Sequence, residues 1–214
     1  MTAVSTAAGL FEYDLEICGG RREVAGADEA GRGCLAGPLV AAAVVFDYGR
    51  MDEEQFKLLA ALDDSKKLTP KARERLYPMI IGCAARLSVV MASAPTIDEN
   101  GLHKTNLAAL KGAIEALAPV GGEVLIDGYG LADSTVAHRC VKRGDSTSAA
   151  IAAASIIAKV TRDCAMHKMH EVFPQFGFAS HVGYATEDHR AAIARHGLSP
   201  LHRRSFRTGP LPVV

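Results

Sequence analysis

The 214-residue sequence predicts an α/β domain with a helical C-terminal extension. Two observations carry this. Apolar runs of strand length alternate with helix-period segments up to residue 141, and beyond Ser146 only helical patterns remain. A third bounds the size: 214 residues with 49% apolar side chains is ample for one core and short for two. The expected organisation is a frayed segment over residues 1–20, an α/β core over 21–145, and a long helix with further helical structure over 146–214 packed on that core.

The elements follow in order. Val24–Asp28 reads as a short apolar strand, and Leu39–Phe46, a continuous apolar run after Pro38, as a buried one. Thr69-Pro70 is a helix start, a capping hydroxyl before a proline at the first helical position, and this helix extends to about Ile81. Leu87–Ala94 is a further apolar strand. Asn106 to Leu117 has helical period, with leucine or isoleucine at 107, 110, 114 and 117. Gly121-Gly122 breaks the chain before a strand over Glu123–Ile126, which Asp127-Gly128 ends; Thr135–Val141 is the last strand. Ser148 to about Glu171 is a long alanine-rich helix whose small side chains allow close packing on a sheet. A final helix spans Thr186 to His196, with Thr186 as cap and Gly197 as stop.

Composition narrows the function classes. No run of 18 apolar residues exists and no basic, leucine-rich leader is present, so a cytoplasmic protein away from membranes is expected. Five scattered cysteines without a Cys-x-x-Cys fit reduced thiols better than a disulfide or zinc framework. The zero net charge conceals an asymmetry: residues 1–137 carry 13 Lys/Arg against 19 Asp/Glu, and residues 138–214 carry 11 against 5. An acidic half and a basic half suit metal chemistry on a nucleic acid, and equally suit an unevenly charged solvated surface.

The chemistry concentrates in Val24-Ala25-Gly26-Ala27-Asp28-Glu29-Ala30-Gly31-Arg32-Gly33. Two adjacent carboxylates end a strand, and clustered carboxylates call for a hard divalent cation such as Mg²⁺. On a regular strand Asp28 and Glu29 point to opposite faces, so both serve one site only if the chain bends at Glu29. The Gly31-Arg32-Gly33 turn lets backbone approach a ligand closely, with one arginine for an anion. Asp127 emerges from a buried strand at the end where open α/β sheets place ligands, although Asp-Gly is also a common plain turn. Asp145 precedes the long helix, as a metal ligand or as its cap. Lys66 and Lys67 suit phosphates or a solvated turn, and Tyr184 suits stacking on a sugar or base or ordinary packing. The glycine spacing matches neither a dinucleotide fingerprint nor a P-loop. A competing chemistry is acid–base cleavage of RNA by histidines such as His167 and His170, three apart on a helix.

Taken in order, these segments resemble ribonuclease HII, the type 2 ribonuclease H family. The resemblance runs from Val24 to Phe206 and is carried by seven motifs. They are Asp28-Glu29-Ala30-Gly31-Arg32-Gly33, Asp64-Ser65-Lys66-Lys67-Leu68, Ile126-Asp127-Gly128, Lys142-Arg143-Gly144-Asp145, the segment Ile151 to Val160, Gly183-Tyr184, and His202-Arg203-Arg204-Ser205-Phe206. The resemblance implies an RNase H-like fold with a mixed five-stranded sheet flanked by helices. It implies that Asp28, Glu29, Asp127 and Asp145 are a catalytic quartet binding Mg²⁺ or Mn²⁺. It assigns Gly31, Arg32 and Gly33 to the ribonucleotide and its 2′-hydroxyl, and Tyr184 to the RNA–DNA junction; Lys66 is a further substrate contact. Two positions depart from the family pattern: Val182 stands where a basic residue is frequent, and Arg143 interrupts the usual Lys-Gly-Asp.

The function so implied is an endonuclease that hydrolyses the RNA strand of RNA–DNA hybrids. It also nicks on the 5′ side of ribonucleotides embedded in duplex DNA, by two-metal catalysis that leaves 3′-hydroxyl and 5′-phosphate ends. The expected partners are hybrid and ribonucleotide-containing DNA, met by a monomer with no sliding clamp indicated. A catalytically silent hybrid-binding module and a nuclease of the same fold acting on DNA junctions are the alternatives.

Overall fold

The computed structural model describes residues 6–19 and 22–206. In these residues a five-stranded mixed sheet, ordered β3-β2-β1-β4-β5, lies between helices on both faces. Its strands are β1 (Glu23–Ala30), β2 (Leu39–Asp47), β3 (Arg86–Ala92), β4 (Glu123–Asp127) and β5 (Arg139–Val141). The hairpin-like β1–β2 and β2–β3 pairs are antiparallel, while β1–β4 and β4–β5 are parallel. The Asp28 and Asp127 ends therefore emerge side by side at one edge of the sheet.

Strand β2 is apolar throughout because it is buried on both faces. Val40, Ala42, Val44 and Phe46 join one hydrophobic cluster, and Leu39, Ala41, Ala43 and Val45 the other. The first cluster is closed by α6 (Ala149–Val172), whose residues 149–154 are all fully buried. The second is closed by α5 (Leu102–Glu115) through Ala109, Leu110, Ala113 and Ile114. Alanine on α6 is what allows contact at backbone distance. A Cβ on Gly26 of β1 would lie 2.5 Å from the Ala150 carbonyl oxygen and closer still to Ala150 C and Ile151 N. Gly26 is thus the place where helix and strand backbones touch.

The expected helix starts are present. Thr69 caps α3 (Pro70–Cys83), accepting from Ala72 N, and Ser148 caps α6, accepting from Ile151 N. Thr186 caps α8 (Glu187–His196), which Gly197 ends. Three differences stand out. Where fraying was expected over residues 1–20, Thr6–Cys18 forms helix α1, with Ala7, Leu10, Phe11, Asp14 and Cys18 buried on one stripe. A buried aspartate interrupts the apolar pattern there, and its Oδ2 accepts from Tyr48 Oη at 2.7 Å and Ala150 N at 2.9 Å. Residues 1–5 of that stretch, and 20, lie outside the described residues. Strand β5 has three residues instead of the seven expected, because Val136 turns back to pack on the α5 side before the ladder begins. The short helices α2 (Glu53–Leu58), α4 (Ala94–Asn100) and α7 (Phe178–His181) have too few turns to show a period. No helix among the described residues is long and apolar enough to cross a membrane.

Candidate active site

Strand parity builds the site. On β1, Val24 packs on the α6 side and Ala25 and Ala27 on the α5 side, so Asp28 faces α6 and Glu29 faces α5. On β4, Leu125 faces α6 and Val124 and Ile126 face α5, so Asp127 shares the face of Asp28. Parallel pairing of Ala27 with Ile126 sets the two aspartates side by side. Asp145 arrives from a 3-10 turn at Gly144–Ser146, between β5 and α6. That turn is tied down by Gly144 N donating to Asp127 Oδ1 at 2.7 Å. Ligand oxygens of Asp28, Asp127 and Asp145 all lie within 4.8 Å of one another. Arg143, the interruption in the family pattern, takes a left-handed conformation (φ 54°) and turns the chain so that Asp145 still reaches the cluster. The cap of α6 is Ser148, so Asp145 is left to the cluster.

These carboxylates are poorly placed for ionisation by themselves. Burial, then the charge of Glu29, pushes the Asp28 carboxyl well above the usual carboxylate range, against the pull of a Ser155 hydrogen bond. Burial also raises Asp127, opposed by the Gly144 amide and reinforced by Asp145. Lys66 supplies one counter-charge, its Nζ 3.1 Å from Asp145 Oδ2. Burial lowers the Lys66 ammonium, but the Asp145 hydrogen bond and charge outweigh this and raise it. Three convergent carboxylates with one lysine leave an excess of negative charge and an all-oxygen donor set, which fits a hard divalent cation.

Glu29 does not join the cluster. Strand β1 stays paired with β2 through Ala30, so the bend needed to bring Glu29 beside Asp28 does not occur. Its Oε1 instead accepts from Arg32 Nη1 at 3.1 Å, and Asn106 of α5 also hydrogen-bonds it. Burial raises the Glu29 carboxyl while Arg32 draws it down. Glu29 still lines the same cleft of about 320 Å³, with Asp28, Gly31, Arg32, Gly33, Lys66, Asp127 and Tyr184. Of the expected catalytic and substrate-binding residues, all but Asp145 line this cleft, and Asp145 is held beside it by Lys66.

Two buried arginines hold the glycine turn. Arg162 of α6 donates to the carbonyls of Pro38, Ala36 and Val182 at 3.0, 3.0 and 2.9 Å. Arg203 donates to Gly37 and Arg32 carbonyls. Gly31, at φ +95°, would drive a Cβ against Arg162 and Pro38, so no side chain fits. Gly33 differs: a Cβ there would meet nothing within 4 Å, and the residue faces the cleft. Tyr184 also lines the cleft, its loop tied to the glycine segment by Leu35 N donating to the Gly183 carbonyl at 2.9 Å, with Lys159 Nζ 5.3 Å from its ring centre.

Sequence reasoning missed the supporting residues. Ser155, bonded to Asp28 and 2.8 Å from Ser65 Oγ, and Lys159, paired with Asp163 at 2.8 Å, lie on α6 within a motif quoted whole. Asn106 was legible only as the start of a helical period. His167 lines a separate cleft, and neither it nor His170 lines the carboxylate cleft, so acid–base cleavage by that pair has no site here. His181, His189 and His202 are buried together behind Tyr184.

A family model described as Ribonuclease HII matches residues 25–209. The ribonuclease HII of Acidothermus cellulolyticus is 46% identical over 200 residues; the match covers 93% of this chain and 64% of that protein. The crystal structure of ribonuclease H2 from Pyrococcus horikoshii OT3 superposes with a TM-score of 0.72 at 27% identity, covering 87% of this chain and 94% of that one. The RNase HII of Archaeoglobus fulgidus, solved as a complex with PCNA, also gives 0.72, at 28% identity over 86% and 95% of the two chains.

Proposed function

Because the chain belongs to the ribonuclease HII family, we propose that it is a metal-dependent endonuclease that hydrolyses the RNA strand of RNA–DNA hybrids and nicks 5′ of ribonucleotides embedded in DNA. The observation that carries this reading is the convergence of Asp28, Asp127 and Asp145 in one cleft with Gly33, where a Cβ would meet no protein atom. Asp28, Asp127 and Asp145 would hold one Mg²⁺ or Mn²⁺, and Glu29, lining the same cleft, would serve a second together with the substrate phosphate. Such ions supply a water of lowered pKa as nucleophile and stabilise the leaving 3′-oxygen.

The chain's own groups do the rest. The Gly31–Gly33 backbone, fixed by Arg162 and Arg203, offers a surface without side chains on which a ribose 2′-hydroxyl can be read. Arg32 and Lys66 are exposed cations at the cleft, placed to meet phosphates once substrate and metal compete for Glu29 and Asp145. Tyr184 lines the same cleft, its ring available to stack on the sugar or base next to the ribonucleotide. All these groups come from one chain, so the site needs no residue from a second copy. A clamp partner is known for the Archaeoglobus protein by its complex with PCNA.

The test is Asp28→Asn. Cleavage is expected to fall to background while binding of a hybrid duplex stays within about threefold of wild type, because the phosphate contacts lie elsewhere. Cleavage at a near wild-type rate would remove the metal assignment. A binding module without catalysis would show no cleavage in the wild type either.

A further inference from the structure

Behind Tyr184 lie three buried histidines, two of them hydrogen-bonded to each other and the third stacked on one of the pair, and the backbone partners assign the ring protons. His189 of α8 places Nδ1 2.8 Å from the Tyr184 carbonyl and Nε2 3.1 Å from His202 Nε2. His202 places Nδ1 2.9 Å from the Ser199 amide nitrogen. A carbonyl only accepts, so His189 donates from Nδ1. An amide N–H only donates, so His202 accepts at Nδ1 and carries its proton on Nε2. That proton points at His189 Nε2, which has the bare lone pair. The two ends fix the middle independently, and they agree.

The third ring obeys the same logic. His181 stacks on His189 with centroids 4.2 Å apart, donates from Nε2 to the Phe176 carbonyl at 2.8 Å, and accepts at Nδ1 from Gly183 N at 3.2 Å. His189 and His202 must therefore be neutral. A second proton on His189 would set two donors against each other, and one on His202 would do so at Ser199.

The position of the histidines gives them a role. His181 and His189 grip the backbone on either side of Tyr184, through Gly183 N and the Tyr184 carbonyl. At the other end His202 sits on Ala36 in an isolated β-bridge, and its neighbour Arg203 donates to Gly37 and Arg32 carbonyls. The histidines thus connect the loop bearing Tyr184 to the segment bearing Gly31, Arg32 and Gly33. We propose that His181, His189 and His202 are positioning residues that set Tyr184 at a fixed distance from the Gly31–Gly33 turn, and so set the preference for a ribonucleotide–deoxyribonucleotide junction over uniform hybrid. This rests on the junction role given to Tyr184 above.

Two measurements test it. Long-range ¹⁵N–¹H spectra of the imidazoles in the wild-type protein at pH 7.5 should find His189 protonated on Nδ1, and His181 and His202 on Nε2. A His189 proton on Nε2 overturns the proposal, and this readout needs no variant to fold. Next, kcat/KM is measured on a duplex with one ribonucleotide and on a long hybrid, for His202→Leu, His202→Gln and Tyr184→Ala. His202→Leu leaves the His189 lone pair without a donor and should lower the single-ribonucleotide value about tenfold, with the long hybrid changed far less. His202→Gln keeps an amide donor and should recover most of the loss. If Tyr184→Ala lowers the ratio of the two values and His202→Leu does not, the positioning role is wrong. If Tyr184→Ala leaves the ratio unchanged, the junction role itself fails and takes this proposal with it.

Discussion

Gly26→Ala places one methyl group where α6 rests on β1, and its effect can be worked out from distances. The new Cβ would lie 2.5 Å from the Ala150 oxygen, against 3.4 Å for the onset of ordinary contact, so helix and strand must part by about 1 Å. Neither side can yield by rotating a side chain, because the atoms opposed are backbone. Overpacking of this kind costs up to about 3 kcal/mol, which for a chain of this length is a fall in Tm of roughly 6–12 °C. The catalytic consequence is larger. Asp28 lies two residues along β1, and Ser155, which hydrogen-bonds it, lies on α6. A misplacement near 1 Å in a catalytic constellation costs about 10²-fold in rate. The assay is thermal melting together with cleavage of a labelled hybrid. Gly82→Ala on α3 serves as control, since a Cβ there meets nothing within 4 Å. Should Gly26→Ala retain both Tm and rate, the claim that α6 is seated on Gly26 and thereby places the carboxylates is refuted.

Two further outcomes follow from the site and its supports. Gly33→Ala should leave Tm unchanged, as its Cβ meets no protein atom, yet raise KM for ribonucleotide substrates about tenfold or more; an unchanged KM would mean that no sugar approaches Gly33. Burial lowers the His189 pKa from an ordinary 6.5 to about 4, so the unfolded chain binds the extra proton first. Its contribution is therefore complete above pH 6.5 and is lost as pH falls towards 4, by about 2 kcal/mol at pH 5. Urea unfolding of wild type and His189→Asn at pH 7.5 and pH 5 should show that difference in slope, and parallel pH dependences would contradict it.

The sequence carried most of the strand framework because β2 and β4 are buried on both faces and have no polar interruptions. It carried the carboxylate cluster of Asp28, Asp127 and Asp145, which lie near strand ends or before a helix, where a carboxylate has few structural reasons to be. What it hid has a common cause: polar residues bonded to partners far along the chain. Asp14 broke the pattern of α1 because its partners are Tyr48 and Ala150. Asn106 looked like a helix start, although its partner is Glu29 on another element. The separation of Glu29 from the three aspartates depended on whether β1 bends, and its continued pairing with β2 decided that. Arg162 and Arg203 read as part of a basic half, yet both are buried and hold backbone carbonyls.

The most direct measurement is cleavage of an end-labelled DNA duplex containing one ribonucleotide, in Mg²⁺, in Mn²⁺ and in EDTA. A single nick on the 5′ side of the ribonucleotide, leaving 3′-hydroxyl and 5′-phosphate ends and abolished by EDTA, is the predicted result. Cleavage that persists in EDTA, or none of this duplex in either metal, would contradict it.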